Sequence, residues 1–196
     1  MRSARRIRAL GWFILAALIC AGSRAGAEET AASKGEDMSI KVESSVFQAG
    51  SAIPKQYTGE GPDVSPPLSW SGVPAEAKAL ALICDDPDAP RKEPWVHWVI
   101  YSLPRDTHSF PENVAGQKTL MEPKGALQGV NDFGKPGYNG PLPPPGHGVH
   151  HYHFKLYALD ASLSLAPGAT KAQLLAAMKG HILAEGELIG TYERKR

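Results

Sequence analysis

The chain has 196 residues, with 21 Lys+Arg against 20 Asp+Glu and two cysteines. That near-neutral balance lacks the basic field needed for non-specific nucleic-acid or acidic-membrane binding. The length fits one domain with a real core behind a leader.

The leader comes first. Arg2, Arg5, Arg6 and Arg8 precede the apolar run Leu10 to Ala21, and Ala25-Gly26-Ala27 supplies a small-x-small step. This is the pattern of a secretory signal cleaved after Ala27. A run of twelve residues reaches only about 18 Å of a roughly 30 Å hydrocarbon core, so a membrane-spanning anchor is disfavoured. Ile19 is bulky where a lipoprotein signal ahead of Cys20 would place a small residue. The expected location is therefore periplasmic or secreted. Cleavage removes five arginines and no acid, leaving 16 Lys+Arg against 20 Asp+Glu, a net charge of −4. Cys84 is then the one remaining cysteine, so no internal disulfide can form. It ends the run ALALIC and reads as a core thiol. Residues 28–37, EETAASKGED, carry no apolar periodicity and read as a flexible leader to a domain over 38–196.

From Met38 onward, strand-like runs alternate with Gly/Pro punctuation. SIKVESSVF (39–47) alternates apolar and polar residues, Gly50 to Pro67 is rich in turns, and LSWSGV (68–73) follows. ALALIC (79–84) and WVHWVIYSL (95–103) are apolar on both faces, as expected of strands inside a packed sandwich. Residues 104–148 are dense in proline and glycine and read as a long structured loop. HYHFKLYALD (151–160) resumes the strand pattern. Thr170 can cap a helix whose apolar positions are Leu174, Leu175, Met178 and Ile182, and GELIGTYER (186–194) reads as a final strand. The fold class expected is all-β, an antiparallel β-sandwich with one or two short helices.

Four histidines stand within HGVHHYHFKLYAL (147–159). Strand alternation puts His150, Tyr152, Phe154, Leu156 and Ala158 on one face and His151, His153, Lys155, Tyr157 and Leu159 on the other. The first face is apolar beyond its first two residues, so His150 and Tyr152 are expected at the mouth of the core. His151 and His153 lean outward. A metal site would need a third or fourth ligand, which no Cys or HExxH pattern supplies, and no metal or cofactor is expected.

A second signal is DPDAP (86–90), a rigid turn whose prolines fix φ and whose acids can bond their own backbone. Asp86 ends a core strand. His97 follows on the next strand, on the face opposite Val96 and Trp98, where Asp86 could fix its tautomer and raise its pKa. Glu93-Pro94 is a candidate cis peptide. A third signal is GYNGPLPPPGHG (137–148), a stiff loop whose backbone can approach a ligand closely.

Together, VSPPLSWSGVP (64–74), DDPDAP (85–90), PWVHWVIYSLP (94–104), GVNDFGKPGYNGPLPPPGHGVHHYHFKLYALD (129–160) and the terminal GELIGTYER resemble the phosphatidylethanolamine-binding protein family, in particular its bacterial Raf-kinase-inhibitor-like branch. The resemblance covers nearly all of residues 38–194. It implies a sandwich of two antiparallel sheets with a small pocket for phosphate or phosphorylated head groups. Carried over, the pocket aspartate is Asp86, its histidines are His97 and His150, and its tyrosine is Tyr152. Gly140, Pro141 and Pro143 to Pro145 would form the rim, with Gly140, Pro141, Pro143 and Pro144 as ligand-binding residues. Leu142 stands where many bacterial members carry a cysteine in this loop, and no C-terminal helix like that of the eukaryotic branch is expected after the last strand. Members of the bacterial branch are commonly dimers, so a homodimer is an expectation by resemblance.

The expected function is an exported, non-catalytic anion-binding module. His97, His150 and Tyr152 would donate to phosphate oxygens, with affinity rising as pH falls through the ordinary histidine range near 6.5. Asp86 in such a pocket favours a zwitterionic head group such as phosphoethanolamine. Two alternatives stand beside this reading. One is a hydrolase with a His–Asp general base, although no nucleophile motif supports it. The other is an inhibitor-like protein-interaction module with a vestigial pocket.

Overall fold

The computed structural model describes residues 39–196, so the signal and leader segments expected over 1–37 lie outside the described residues. The strands are β1 (Lys41–Glu43), β2 (Leu68–Ser71), β3 (Ala79–Asp86), β4 (Trp95–Pro104), β5 (Ser109–Phe110), β6 (Leu127–Gln128), β7 (Val149–Leu159) and β8 (Ile182–Glu193); the α-helix α1 is Lys171–Met178. They form a three-stranded sheet, β1-β2-β5, and a five-stranded sheet, β6-β4-β3-β7-β8, with every neighbouring pair antiparallel. The expected all-β architecture is therefore the one observed. The span expected as one loop, 104–148, carries the two-residue strands β5 and β6.

The main core lies between the sheets. Val42, Leu68, Trp70 and Phe110 from the small sheet meet Leu80, Leu82, Cys84, Trp98, Ile100, Phe154, Leu156 and Leu188 from the large one. A second core covers the outer face of the large sheet, where Ala81, Ile83, Val99, Tyr101, Tyr157 and Leu159 pack against Leu174 and Met178 of α1. This explains why β3 is apolar without alternation: all eight of its residues are buried. Each large aliphatic side chain so enclosed contributes about 1.5–3 kcal/mol.

α1 begins in a capping box. The Thr170 hydroxyl accepts from Gln173 N–H, and the Gln173 side chain accepts from Thr170 N–H at 2.8 Å. Leu174 and Met178 hold the helix to the sheet. Ile182, expected as its last apolar position, instead opens β8. Gly180, at φ 82°, reverses the chain after Met178, and Ile182 then pairs with Leu159. β8 thus starts four residues before the expected strand and runs alongside the whole of β7.

The free edge of β8 is covered. Ile40 N–H donates to Glu185 at 3.0 Å, Gly50 N–H to Ile189 at 2.8 Å and Ile53 N–H to Thr191 at 2.8 Å. Gly186 permits that approach, since a Cβ there would fall 1.7 Å from the Ile40 carbonyl oxygen. Among the described residues no helix is long and apolar enough to cross a membrane.

Candidate functional site

Three elements meet at one end of the large sheet: the end of β3 with its turn, the start of β4, and the start of β7. They enclose a cavity of about 240 Å³. Its polar lining is Asp86, His97, His150 and Tyr152; its walls are Ala89, Pro90, Trp95, Phe133, Leu142, Pro143 and Pro144. No lysine or arginine is among the lining residues.

Alternation along β7 delivers His150 and Tyr152 as expected. Both are 1% exposed, and Tyr152 shares the inter-sheet core with Phe154 and Leu156. On the opposite face, His151 pairs with Asp88 at 2.7 Å and His153 with Glu187 at 2.7 Å, outside the cavity.

His97 arrives by a different route from the one expected. Cys84 pairs with Trp98 and Asp85 with Val96, so His97 is an extra residue in a β-bulge. Val96 belongs to the outer core and Trp98 to the inner one. Unbroken alternation would have put those two on one face and His97 on the other. The bulge cancels that reading and lets His97 meet Tyr152 edge-on, with ring centroids 5.1 Å apart.

Asp86 also has a different partner from the one expected. His150 Nδ1 donates to its Oδ2 at 2.8 Å, while its Oδ1 accepts Asp88 N–H at 2.8 Å, the self-bonding turn expected of DPDAP. His97 Nδ1 donates instead to the Asn139 carbonyl at 2.5 Å. The neutral His97 ring therefore keeps its proton on Nδ1 and leaves Nε2 as a lone pair. Burial holds its pKa below the ordinary value, outweighing the Asn139 bond and the nearby Asp86; the expected rise is a fall.

The Asn139 carbonyl is held in place by its neighbours. Asp63 accepts from Asn139 Nδ2 at 2.8 Å and from Gly140 N–H at 2.6 Å, and Asn131 Nδ2 donates to Gly137 at 2.9 Å. This same anchoring turns Gly140 and Pro141 away from the cavity. A Cβ on Gly140 would lie 2.1 Å from the Tyr57 carbonyl oxygen, and the Pro141 carbonyl accepts from Gly59 N–H. Of the expected rim, only Pro143 and Pro144 line the space, joined by Leu142. Pro145 is exposed and outside the lining. Among the described residues the cis peptide is Glu122–Pro123, not the expected Glu93–Pro94.

Sequence reasoning missed Trp95, Phe133 and His147. Trp95 and Phe133 meet edge-on at 5.4 Å and form an aromatic wall. A Trp opening a strand beside a candidate histidine was a usable signal for the first; Phe133 comes from a loop and gave none. His147 Nδ1 and His150 Nε2 share a hydrogen bond at 2.7 Å, so a chain runs from buried Asp86 through His150 to an exposed imidazole.

Two polar atoms on the cavity's residues have no partner: the Tyr152 hydroxyl and the Trp95 indole nitrogen, both buried. Burial, with the nearby Asp86 and Cys84 adding to it, pushes the Tyr152 phenol well above its ordinary pKa, so it stays a neutral donor. Cys84 is fully enclosed in the inter-sheet core, and burial, reinforced by Asp85 and Asp86, holds it as the thiol. Among the described residues no group of three or more His, Cys, Asp or Glu is arranged to hold a metal ion.

A two-sheet sandwich with a small cavity, apolar in its walls and polar at its floor, is a frame of a size to enclose a small ligand. Residues 43–193 match the phosphatidylethanolamine-binding protein family, and the chain belongs to that family. It is 53% identical over 155 residues to a UPF0098 protein of Methanothermobacter thermautotrophicus, covering 79% of this chain and 99% of that one. Among solved structures, it resembles a phosphatidylethanolamine-binding protein homologue, CT736, from Chlamydia trachomatis: TM-score 0.72, 43% identity, covering 81% of this chain and 99% of that one. It also resembles YbcL of E. coli, described as a member of the mammalian PEBP family, with TM-score 0.73, 34% identity and coverage of 80% and 99%. Family membership supports a ligand-binding or inhibitor-like module.

Proposed function

We propose that the chain is an exported module that binds a phosphorylated head group, of phosphoethanolamine type, in the Asp86/His97/His150/Tyr152 cavity. The observation that carries this reading is the Tyr152 hydroxyl, 1% exposed and without a partner on the cavity floor. An unmet buried donor costs about 1–3 kcal/mol, a cost that a ligand oxygen would remove. The Trp95 indole N–H is a second such donor.

The charge inventory narrows the ligand. Asp86 is the one carboxylate in the lining and no lysine or arginine joins it, which disfavours a bare dianion. The His97 Nε2 lone pair would accept from an ammonium or a protonated phosphate. Phosphate oxygens would take the Tyr152 and Trp95 donors. Phe133 and Leu142 are 40% and 43% exposed at the mouth, which favours a head group that continues into apolar substance. Export rests on the N-terminal signal pattern and is checked by fractionation and N-terminal sequencing of the mature chain.

The deciding experiment titrates phosphoethanolamine and inorganic phosphate into the mature protein while following imidazole signals by NMR. Saturable shifts at His97 and His150, lost in His150→Ala, support the reading. An intact fold with unmoved signals at millimolar ligand overturns it.

A further inference from the structure

One peptide plane links His97 to a residue outside the cavity, Asp63. His97 Nδ1 donates to the carbonyl of the Asn139–Gly140 peptide, and the N–H of that same peptide donates to Asp63 Oδ1 at 2.6 Å. In a trans peptide the carbonyl and the N–H point in opposite directions, so a carboxylate that holds one fixes the aim of the other. Asp63 Oδ2 takes a second bond, from Asn139 Nδ2 at 2.8 Å. Both oxygens of Asp63 therefore serve one pair of residues, 76 and 77 positions further along the chain.

The other bonds to Asn139 do not set this plane. Asn131 Nδ2 donates to Asn139 Oδ1 at 3.0 Å, and Asn139 N–H donates to the His97 carbonyl at 3.1 Å. They place the side chain and the preceding peptide, and leave the Asn139–Gly140 peptide to Asp63. Asp63 itself stands at φ 59°, a left-handed conformation uncommon outside glycine, asparagine and aspartate. Backbone strain retained at a residue whose two oxygens face one loop points to a task performed on that loop.

We propose that Asp63 is a positioning residue that decides what the cavity accepts: by aiming the Asn139 carbonyl at His97 it leaves a lone pair at Nε2, and so selects an anion that still carries a proton to donate. This rests on the anion-binding reading above. An ammonium-bearing phosphate or a protonated phosphate can supply that proton. Sulfate, which has only acceptor oxygens at neutral pH, cannot. Asp86, the carboxylate of the lining, biases the choice the same way. Without the Asp63 carboxylate the plane is free to turn, because Gly140 has no Cβ to restrict its φ. Its N–H then faces His97 Nδ1, the single ring proton sits on Nε2, and the cavity holds a donor where it had an acceptor. The Tyr152 and Trp95 donors take no part in this exchange and serve either kind of anion.

The test compares wild type with Asp63→Gly and Asp63→Asn at pH 8, where burial keeps His97 neutral. Glycine and asparagine both accept the left-handed conformation, so the chain keeps its path at residue 63. Imidazole ¹⁵N shifts of the ligand-free proteins read the tautomer. Wild-type His97 should carry its proton on Nδ1, and Asp63→Gly should shift toward the Nε2–H form. Asp63→Asn, with one acceptor oxygen for two N–H donors, should fall between them, and it carries the comparison if Asp63→Gly does not fold. Titrations with phosphoethanolamine and sulfate then read the selectivity. Wild type should prefer phosphoethanolamine by at least about tenfold, the scale of one hydrogen bond, and Asp63→Gly should narrow that preference about five- to tenfold. A wild-type proton on Nε2 overturns the proposal. So does a folded variant that loses stability but keeps both tautomer and preference, since Asp63 is then a loop anchor alone. Phosphoethanolamine binding without the tautomer change overturns the role of Asp63 and leaves the anion reading standing. The expected tautomer change in a chain that binds neither probe overturns the anion reading, and the selectivity with it.

Discussion

His150 and Asp86 are 64 residues apart in the chain and joined by a 2.8 Å hydrogen bond from Nδ1 to Oδ2, both side chains almost wholly enclosed. The bond ties the start of β7 to the end of β3 and fixes which nitrogen of His150 carries its proton. It also places a carboxylate where the cavity would otherwise be uncharged.

Removing that carboxylate tests the pair directly. Asp86→Ala leaves His150 Nδ1–H and Asp88 N–H without acceptors in the turn. We expect a loss of about 1–3 kcal/mol in urea denaturation, together with loss of phosphoethanolamine binding. Wild-type stability in this variant would mean that the pair does not form in solution.

Tyr152→Phe should behave in the opposite sense. Its hydroxyl has no protein partner, so deleting it should leave stability unchanged or slightly raised. Affinity for the phosphorylated head group should fall by up to about tenfold, the scale of one hydrogen bond. A drop in stability with unchanged affinity would assign the hydroxyl a structural role instead.

The lowered pKa of His97 gives a pH dependence with a definite sign. In the unfolded chain the ring takes its proton near pH 6.5, whereas burial delays this in the folded protein. Between the two values the unfolded state binds more protons, so stability rises with pH. The contribution is fully present above about pH 6.5 and is lost as pH falls below it. Wild type should therefore lose stability more steeply than His97→Gln from pH 6.5 to 5.5, by at most about 1.4 kcal/mol per pH unit. Parallel denaturation midpoints for the two proteins would contradict this.

Cys84 should be silent in the native protein. Its enclosure between the sheets holds it as the thiol, so a chromogenic disulfide reagent should react only in denaturant. Rapid native reaction would show that the inter-sheet core opens.

Alternation of side chains made the faces of β7 legible: His150 and Tyr152 inward, His151 and His153 outward. The same rule failed one strand away, because one extra residue at His97 shifts the assignments from Trp98 to Tyr101 on β4, until a second register irregularity restores them by Leu103. A bulge is set by the partner strand's register, which the local sequence does not carry. The loop shows a similar limit. The resemblance implied Gly140 and Pro141 as rim residues, yet Asp63 and Tyr57 claim Gly140 and Gly59 claims Pro141, all far away in the chain.

What the sequence determined by itself was the strand pattern, the enclosed β3, the family's motifs and the residue types available for a polar site, because periodicity and composition are local properties. Tertiary structure alone decided the partners. Asp86 pairs with His150 rather than His97, His97 turns to the Asn139 carbonyl, and His147 closes over His150. Each of these follows from register and loop anchoring between distant segments, where a hydrogen bond goes to whichever group the packing brings within about 3 Å.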